Sequence, residues 1–268
     1  MPRFAANLSM LFTERPFLER FAAAARAGFD AVECQFPYEA PAAEIRVRLD
    51  ACGLPLVLHN LPAGDWAAGE RGIACLPGRE AEFRAGVVRA VAYAKALGTP
   101  RLNCLAGIAP AGVDDATLRA TFVANLRHAA AVLADAGLTL LVEPINTHDM
   151  PGFWLSRGDA AAELIADVGA PNLKLQFDAY HAARMGDDPL AAFERLQPWI
   201  GHVQVADTPG RHEPGSGTLG CAALFALIDR LGYTGHVGAE YRPAAGTEAG
   251  LGWLAVHGRA IGRPAAFS

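Results

Sequence analysis

Four oxygen-bearing side chains follow or interrupt apolar runs in the second half of the chain. Glu143 follows LTLLV, Asp178 follows NLKLQF, Gln204 lies within GHVQVAD, and Glu240 follows GHVGA. The run before Glu143 has no polar face, as is typical of a parallel strand buried on both sides. Each member is separated from the next by roughly one strand and one helix. We therefore expect the four side chains to occupy equivalent places on four successive strands.

Two glutamates, one aspartate and one glutamine amide form a set of hard oxygen ligands. Such ligands suit Mg²⁺ or Mn²⁺, whereas zinc prefers cysteine and histidine. One such residue alone could equally bond to a neighbouring loop, but the shared placement of four favours a site for one divalent cation. Glu143 and Glu240 could also flank a small substrate, one removing a proton and the other returning it. Which glutamate removes the proton and which returns it stays open.

Eight strand-then-helix units position these residues. The predicted strands are residues 4–9, then DAVECQF, LPLVLHN, RLNCLAG, LTLLV, NLKLQFD, GHVQVAD and GHVGA. The predicted helices cover residues 15–27, 41–52, 79–97, 115–136, 156–168, 189–196, 221–231 and 247–258. This regular alternation predicts an α/β fold, a (β/α)₈ TIM barrel, as a single domain over residues 1–268. A doubly wound sheet competes, but the glycine-rich turn expected after its first strand is missing.

Composition narrows the class of protein. The chain has 268 residues, 52% of them hydrophobic, and a net charge of −5. We expect no nucleic acid partner and no anionic membrane partner, because no broad basic surface is available. Five scattered cysteines without a C-x-x-C pair predict a reducing, cytoplasmic location. No apolar run approaches the ~18 to 20 residues of a membrane helix, and the first residues lack a signal-peptide pattern.

Several motifs, taken together, resemble a known family. VEPIN, FDAYH, HVQVAD, PGRHEPGSG and GAEY resemble the hydroxypyruvate isomerase family, which belongs to the xylose-isomerase-like TIM barrels. The resemblance covers most of the chain. It departs after PGSG, where the relatives usually continue with Glu and this chain has Thr218, followed by the atypical segment TLGCAALF. This departure concerns the local loop and assembly more than the metal site.

The resemblance implies specific roles. Glu143, Asp178, Gln204 and Glu240 would bind the divalent ion, and the two glutamates would also be the acid/base pair. The implied reaction converts hydroxypyruvate to and from tartronate semialdehyde. Such a reaction removes a proton next to a carbonyl and replaces it one carbon away through an enediol, which a cation stabilises.

Four further residues are candidates for binding a small-molecule oxo acid or sugar. His181 follows Asp178 by three residues, and the resemblance implies that it contacts substrate oxygens. Arg211 offers a planar fork suited to a carboxylate, although a solvated surface role would also explain it. His59, which ends the third strand, and Glu213 are weaker candidates, because a lone histidine or glutamate is often structural.

Other functions remain open. Within the fold these are isomerisation of 2-oxo-tetronate, ketose 3-epimerisation, and dehydration of an inosose by a lyase. The epimerase ranks lower, because Gln204 stands where those enzymes commonly have His. A DNA-repair endonuclease ranks lower still, because the chain is acidic and has only eight His. A non-catalytic binding protein is the last alternative. The barrel helices could support a homo-oligomer, and the long loop over residues 61–78 is expected to cover the active site.

Overall fold

In the computed structural model, which describes residues 2–256, eight parallel strands alternate with helices. The strands are β1 Arg3–Asn7, β2 Ala31–Glu33, β3 His59–Asn60, β4 Arg101–Cys104, β5 Thr139–Val142, β6 Leu173–Asp178, β7 Ile200–Val205 and β8 His236–Ala239. The helices are α1 Phe17–Arg26, α2 Ala42–Cys52, α3 Glu80–Leu97, α4 Asp115–Asp135, α5 Gly158–Val168, α6 Ala179–Arg184, α7 Pro189–Leu196, α8 Cys221–Arg230 and α9 Gly252–Val256. Residues 257 and 258, which end the last predicted helix, lie outside the described residues.

The strands form one sheet that curls into a barrel. They are hydrogen-bonded in the order β2-β1-β8-β7-β6-β5-β4-β3, and all pairs are parallel. A parallel bridge between Val32 and Leu56 joins the two ends of this order and nearly closes the barrel. The predicted TIM barrel is confirmed. None of the helices in residues 2–256 is long and apolar enough to cross a membrane.

The third strand is much shorter than the predicted LPLVLHN and consists of two residues. The segment that precedes β3 forms a single parallel bridge with β2, between Val32 and Leu56. The register then shifts, because Cys34 N donates to Leu58 O and Asn60 N donates to Gln35 O. The seam between β2 and β3 is therefore joined without regular strand pairing.

The barrel interior changes from apolar to polar along its axis. Ala5, Ala31 and Val57 form a small apolar cluster, separate from the larger core between the strands and the helices. Asn7 and Glu33 follow two residues later on β1 and β2, and therefore lie on the same strand faces as the two alanines. Polar side chains thus occupy the interior towards the carboxyl ends of the strands.

A short helix that was not predicted, α6, begins directly after β6. The Asp178 side chain caps it by accepting hydrogen bonds from the backbone amides of Tyr180 and His181. His181 therefore lies in the first turn of a helix. The next helix, α7, begins conventionally, with Asp188 accepting from the Leu190 amide and a proline in its first turn.

Candidate active site

Four buried side chains converge at the carboxyl ends of the strands. Glu143 follows β5, Asp178 ends β6, His181 lies in α6 and Glu240 follows β8. One ligand atom from each lies within 4.8 Å of the others. Three of the four predicted cation ligands are thus brought together, and His181 joins them.

The two carboxylate oxygens of Asp178 differ in their hydrogen bonds. Oδ1 accepts from the amides of Tyr180 at 2.8 Å and His181 at 3.4 Å. Oδ2 is buried and accepts no hydrogen bond. A buried oxygen without a donor costs free energy unless a cation or a ligand binds it.

The two glutamates are fixed by amide donors. Asn103 donates to Glu143 Oε2 at 2.7 Å. Glu240 Oε1 accepts from Asn7 Nδ2 and from Gln35 Nε2, each at 3.0 Å. These hydrogen bonds orient both carboxylates within the site.

Burial and mutual repulsion raise the pKa of the carboxyls. The pKa of Glu143 is raised first by burial and then by the charges of Glu240 and Asp178. Burial also raises the pKa of Asp178 and of Glu240, while the Arg211 guanidinium opposes the rise in both. Three ionised carboxylates in this space need positive charge, so the group is suited to binding a cation or to retaining a proton.

Arg211 lies among the carboxylates rather than at the surface. It is buried, and its guanidinium donates to Glu240 Oε2 and lies 3.7 Å from Asp178 Oδ2. Its backbone has a φ of 57°, in the left-handed region that non-glycine residues rarely adopt. The ring of Tyr180 lies 5.0 Å from the guanidinium carbon. The predicted carboxylate anchor therefore binds the protein's own carboxylates in this structure.

His181 presents a defined ring nitrogen to the acids. Asn146 Nδ2 lies 2.7 Å from Nδ1, while Asn146 Oδ1 accepts from the amides of His148 and Asp149. Because this amide nitrogen is a donor, Nδ1 accepts and the ring proton lies on Nε2. Burial and Arg211 lower the pKa of His181 well below its usual value, which keeps the ring neutral. Nε2 lies 3.6 Å from Asp178 Oδ2.

Gln204, the fourth predicted ligand, is aligned with Asp178 across β6 and β7. Its Nε2 donates to Glu33 Oε1 at 2.7 Å, and its Oε1 accepts from Gln176 Nε2 at 2.6 Å. An amide oxygen has two lone pairs, so one remains available after this bond. Its role as a cation ligand stays a prediction.

A cleft lies beside the acid group, under the loops that follow β1, β2 and β3. Its volume is about 850 Å³, and its lining includes Gln35, Phe36, Tyr38 and Trp66. Gln35 connects the cleft to the acids, because its amide donates to Glu240. Trp66, 37% exposed, comes from the long loop that was predicted to cover the site. It packs on Phe36 with ring centroids 5.1 Å apart.

Comparison with known proteins identifies the family. A family model described as "Xylose isomerase-like TIM barrel" matches residues 21–257. The chain belongs to the xylose isomerase-like TIM barrel family.

Three relatives illustrate what this xylose isomerase-like protein is similar to. A 2-oxo-tetronate isomerase of Cupriavidus necator is 55% identical, over 95% of this chain and 98% of its own length. A hydroxypyruvate isomerase of Escherichia coli is 51% identical with the same coverage. The solved structure of an AP endonuclease, family 2, from Brucella melitensis is 47% identical, has a TM-score of 0.94, and covers 97% of this chain and 100% of its own. The resemblance to the hydroxypyruvate isomerase family is confirmed, and the chain is an isomerase.

Two weaker candidates have other contacts in this xylose isomerase-like barrel. His59 Nδ1 lies 3.3 Å from the Tyr38 hydroxyl and 3.1 Å from Asn60 O, and burial lowers its pKa to about 4. These contacts connect it to the loop after β2 rather than to the acid group. Glu213 Oε1 accepts from the Ala244 amide at 3.0 Å and so supports the loop after β8. A substrate-binding role for His59 stays a prediction.

Four residues around the acids, in the first half of the barrel, were not predicted from the sequence. They are Asn7 on β1, Glu33 on β2, Gln35 in the loop after it, and Asn103 on β4. A signal existed, because Asn7, Glu33 and Asn103 each interrupt an apolar run, in FAANL, AVEC and LNCL. These interruptions have the same strand-end placement that singled out Glu143 and Asp178.

Proposed function

We propose that this protein interconverts hydroxypyruvate and tartronate semialdehyde and uses one divalent cation, Mg²⁺ or Mn²⁺. The observation that best supports this proposal is the buried group of Glu143, Asp178 and Glu240, in which Asp178 Oδ2 has no hydrogen-bond donor. Similarity to the E. coli hydroxypyruvate isomerase supports the choice of substrate.

A four-carbon acid, 2-oxo-tetronate, is the second candidate substrate. The C. necator relative named for it shares 55% of its residues with this chain, against 51% for the hydroxypyruvate isomerase. Both substrates are short 2-oxo acids that isomerise in the same way. The ratio of the two kcat/KM values decides between them.

The donor set fits a hard cation. Glu143, Asp178, Gln204 and Glu240 would bind it through oxygen, and Asp178 Oδ2, which accepts no hydrogen bond, would be one of the ligand atoms. A bound divalent cation would polarise the substrate carbonyl and stabilise the negative charge of the enediolate.

The proton transfer is assigned to the two glutamates. One carboxylate removes a proton from the hydroxyl-bearing carbon, and the released electron pair forms the double bond of the enediol. The other carboxyl delivers a proton to the former carbonyl carbon. The proton of the terminal hydroxyl is transferred to the former carbonyl oxygen, so that the terminal oxygen becomes the aldehyde oxygen and the former carbonyl oxygen becomes a hydroxyl. Burial raises the pKa of both Glu143 and Glu240, which favours the protonated form that a carboxyl needs in order to deliver a proton.

His181 and Arg211 are assigned to binding and orientation. The neutral His181 ring offers Nε2–H as a donor to a substrate oxygen. Arg211 has a buried Nε without a hydrogen-bond partner, which leaves a donor for a substrate carboxylate while the guanidinium still pairs with Glu240.

The first test is proton NMR of the metal-stripped protein in D₂O, before and after Mg²⁺ or Mn²⁺ is restored. With hydroxypyruvate, we expect metal-dependent formation of the semialdehyde with deuterium at the former carbonyl carbon. Product without deuterium would contradict delivery of the proton by a second carboxyl that exchanges with solvent. Conversion of 2-oxo-tetronate but not of hydroxypyruvate would support the proposed type of reaction and replace the proposed substrate.

Glu143→Gln and Glu240→Gln test the acid/base assignment. Each variant is expected to lower kcat by about 10²- to 10⁴-fold, the usual contribution of a general acid or base. Mn²⁺ binding is measured in parallel, because a variant that has lost the ion is uninformative about proton transfer. Near-normal kcat in a variant that binds Mn²⁺ would remove that residue from the assignment.

The proposed substrate is a small molecule and not nucleic acid. The net charge of −5 gives little general attraction for a phosphate backbone. Because the related B. melitensis structure is described as an AP endonuclease, a direct comparison is useful. The protein, loaded with Mg²⁺ or Mn²⁺, is expected to leave DNA with an abasic site uncut; cleavage above the buffer control would argue for a nuclease.

A further inference from the structure

Glu33 is a buried carboxylate that crosses the barrel interior below the acid group. It lies at the end of β2 and has no exposed surface. Its Oε2 lies 2.7 Å from His202 Nε2. Its Oε1 accepts from Gln204 Nε2 at 2.7 Å and from Asn7 Nδ2 at 3.0 Å. This one carboxylate therefore contacts side chains from β1 and β7.

The fold makes room for this carboxylate at β8. A Cβ atom at Gly238 would lie 2.4 Å from Glu33 Oε2 and 2.5 Å from Oε1, closer than real Cβ contacts allow. Gly238 is aligned with Gln204 across β7 and β8, two residues before Glu240. The absence of a side chain at position 238 thus permits Glu33 to reach Gln204.

The chemistry of a carboxylate fixes which way the Gln204 amide faces. An ionised carboxylate only accepts hydrogen bonds, so the neighbouring amide must direct its NH₂ group towards it. The Gln204 oxygen then faces the other way, where it accepts from Gln176 Nε2 and retains a lone pair. With the amide reversed, its oxygen would repel Glu33 and its nitrogen would oppose that of Gln176.

Asn7 is oriented by the same carboxylate. Its Nδ2 donates both to Glu33 Oε1 and to Glu240 Oε1, at 3.0 Å each, while its Oδ1 accepts from the Ser9 amide. The Asn7 amide therefore bridges Glu33 and a member of the acid group. Glu33 thus contacts one proposed cation ligand, Gln204, directly and a second, Glu240, through the Asn7 amide.

We propose that Glu33 is a positioning residue that fixes the orientation of the Gln204 amide, so that its oxygen rather than its nitrogen is offered to the divalent cation. This inference rests on the proposed function, because it takes Gln204 to be one of the cation ligands. Glu33 touches neither the cation nor the substrate in this proposal. It acts through Gln204 and, by way of Asn7, through Glu240.

Mn²⁺ binding, followed by electron paramagnetic resonance of the free ion, tests this inference without any turnover. Glu33→Gln removes the fixed acceptor and lets the Gln204 amide reverse. Residues that orient metal ligands typically contribute about 10- to 100-fold in affinity, so we expect Mn²⁺ binding to weaken by that factor. Glu33→Asp, which retains the charge but withdraws it by one methylene, is expected to weaken binding as well and serves if Glu33→Gln does not fold.

A charge swap separates orientation from mere loss of stability. In the double variant Glu33→Gln with Gln204→Glu, residue 204 presents oxygen whichever way it turns, and residue 33 can donate to it. The double variant is expected to recover most of the Mn²⁺ affinity lost in Glu33→Gln. Gln204→Glu alone completes the cycle and reports the effect of the added charge. Glu14→Gln, which alters a carboxylate that accepts from Thr247, is the control away from the site.

Each result of the Mn²⁺-binding measurements supports or overturns the role of Glu33. Folded Glu33→Gln that binds Mn²⁺ as tightly as the wild type would overturn the inference and leave the proposed function intact. A double variant that binds no better than Glu33→Gln would also overturn it, because reorientation of the amide would then not explain the loss. A wild-type protein that does not bind Mn²⁺ or Mg²⁺ would overturn both the inference and the proposed function.

Discussion

Arg211 donates a hydrogen bond to Glu240 inside the mouth of the barrel, and the same guanidinium lies 3.7 Å from Asp178 Oδ2. The two carboxylates that it approaches come from β6 and from the loop after β8. A positive charge is therefore built into the acid group, and it lowers the cost of burying several carboxylates together. The same charge is well placed to attract an anionic substrate.

Arg211→Ala is expected to raise KM for 2-oxo acid substrates by about tenfold or more, because a hydrogen bond to a charged group contributes ~1.5 to 3 kcal/mol. The KM for a neutral ketose should rise much less, since a ketose has no carboxylate that could pair with Arg211. Steady-state kinetics on both substrates measure the difference. Arg195→Ala, which removes an exposed pair with Asp159, is the control. Equal effects on both substrates would remove the anchoring role.

The raised pKa of Glu143 predicts how stability depends on pH. A carboxyl whose folded pKa lies above its ordinary value of 4.5 binds more protons in the folded state. Its contribution is therefore complete below the unfolded pKa and is lost as the pH rises through the folded pKa. The melting temperature of protein treated with a chelator should therefore fall as the pH rises above the ordinary range of a glutamate carboxyl. Glu143→Gln should make the melting temperature depend less on pH. An unchanged dependence would show that groups other than Glu143 cause it.

Asn146→Asp tests the ring orientation of His181. The wild-type amide donates to Nδ1 and leaves the proton on Nε2. A carboxylate at position 146 would instead accept from Nδ1–H, so the neutral ring would lose its donor towards the acids. We expect nitrogen NMR of the labelled imidazole to report the change and kcat to fall by about 100-fold. Asn172→Asp, outside the site, should alter neither quantity; the same nitrogen shifts in Asn146→Asp would refute the assignment.

Gly238→Ala tests the space that Glu33 requires. The added methyl would meet both carboxylate oxygens of Glu33 at 2.4 and 2.5 Å, and overpacking of this kind costs about 1 to 3 kcal/mol. Urea denaturation measures the loss in the free energy of unfolding. Gly252→Ala is a matched control, because a Cβ there would meet no atom within 4 Å. Equal stability of the two variants would show that Glu33 moves aside at no cost.

The alternation of apolar runs and helices was enough to predict the barrel and the convergence of three acids. Glu143, Asp178 and Glu240 each come directly at or after the end of a strand, where the fold itself determines their position. A local pattern suffices for such residues, because each is defined by its own strand. Asn7 and Asn103 also lie at or near the ends of their strands and were predictable in the same way.

Other features depend on contacts that no local pattern contains. The orientation of Glu33 depends on the missing side chain of Gly238, across the barrel and far away in the chain. The inward position of Arg211 depends on a loop in which its own backbone adopts a φ of 57°. The predicted length of β3 was wrong because apolar composition indicates burial but does not establish regular pairing, which is limited here to one bridge and to His59–Asn60.

Asp178 caps a helix with one oxygen, while its other oxygen accepts no hydrogen bond and faces the acid group. Few substitutions satisfy both demands. Asparagine would keep the capping oxygen but turn an NH₂ group towards the acids, and glutamate would carry its charge too far from the first turn of α6. We therefore expect a saturation library at this position to yield almost no active alternatives, whereas neighbouring surface positions should accept many. The mutational tolerance of residue 178 is limited because one side chain both caps α6 and takes part in the acid group.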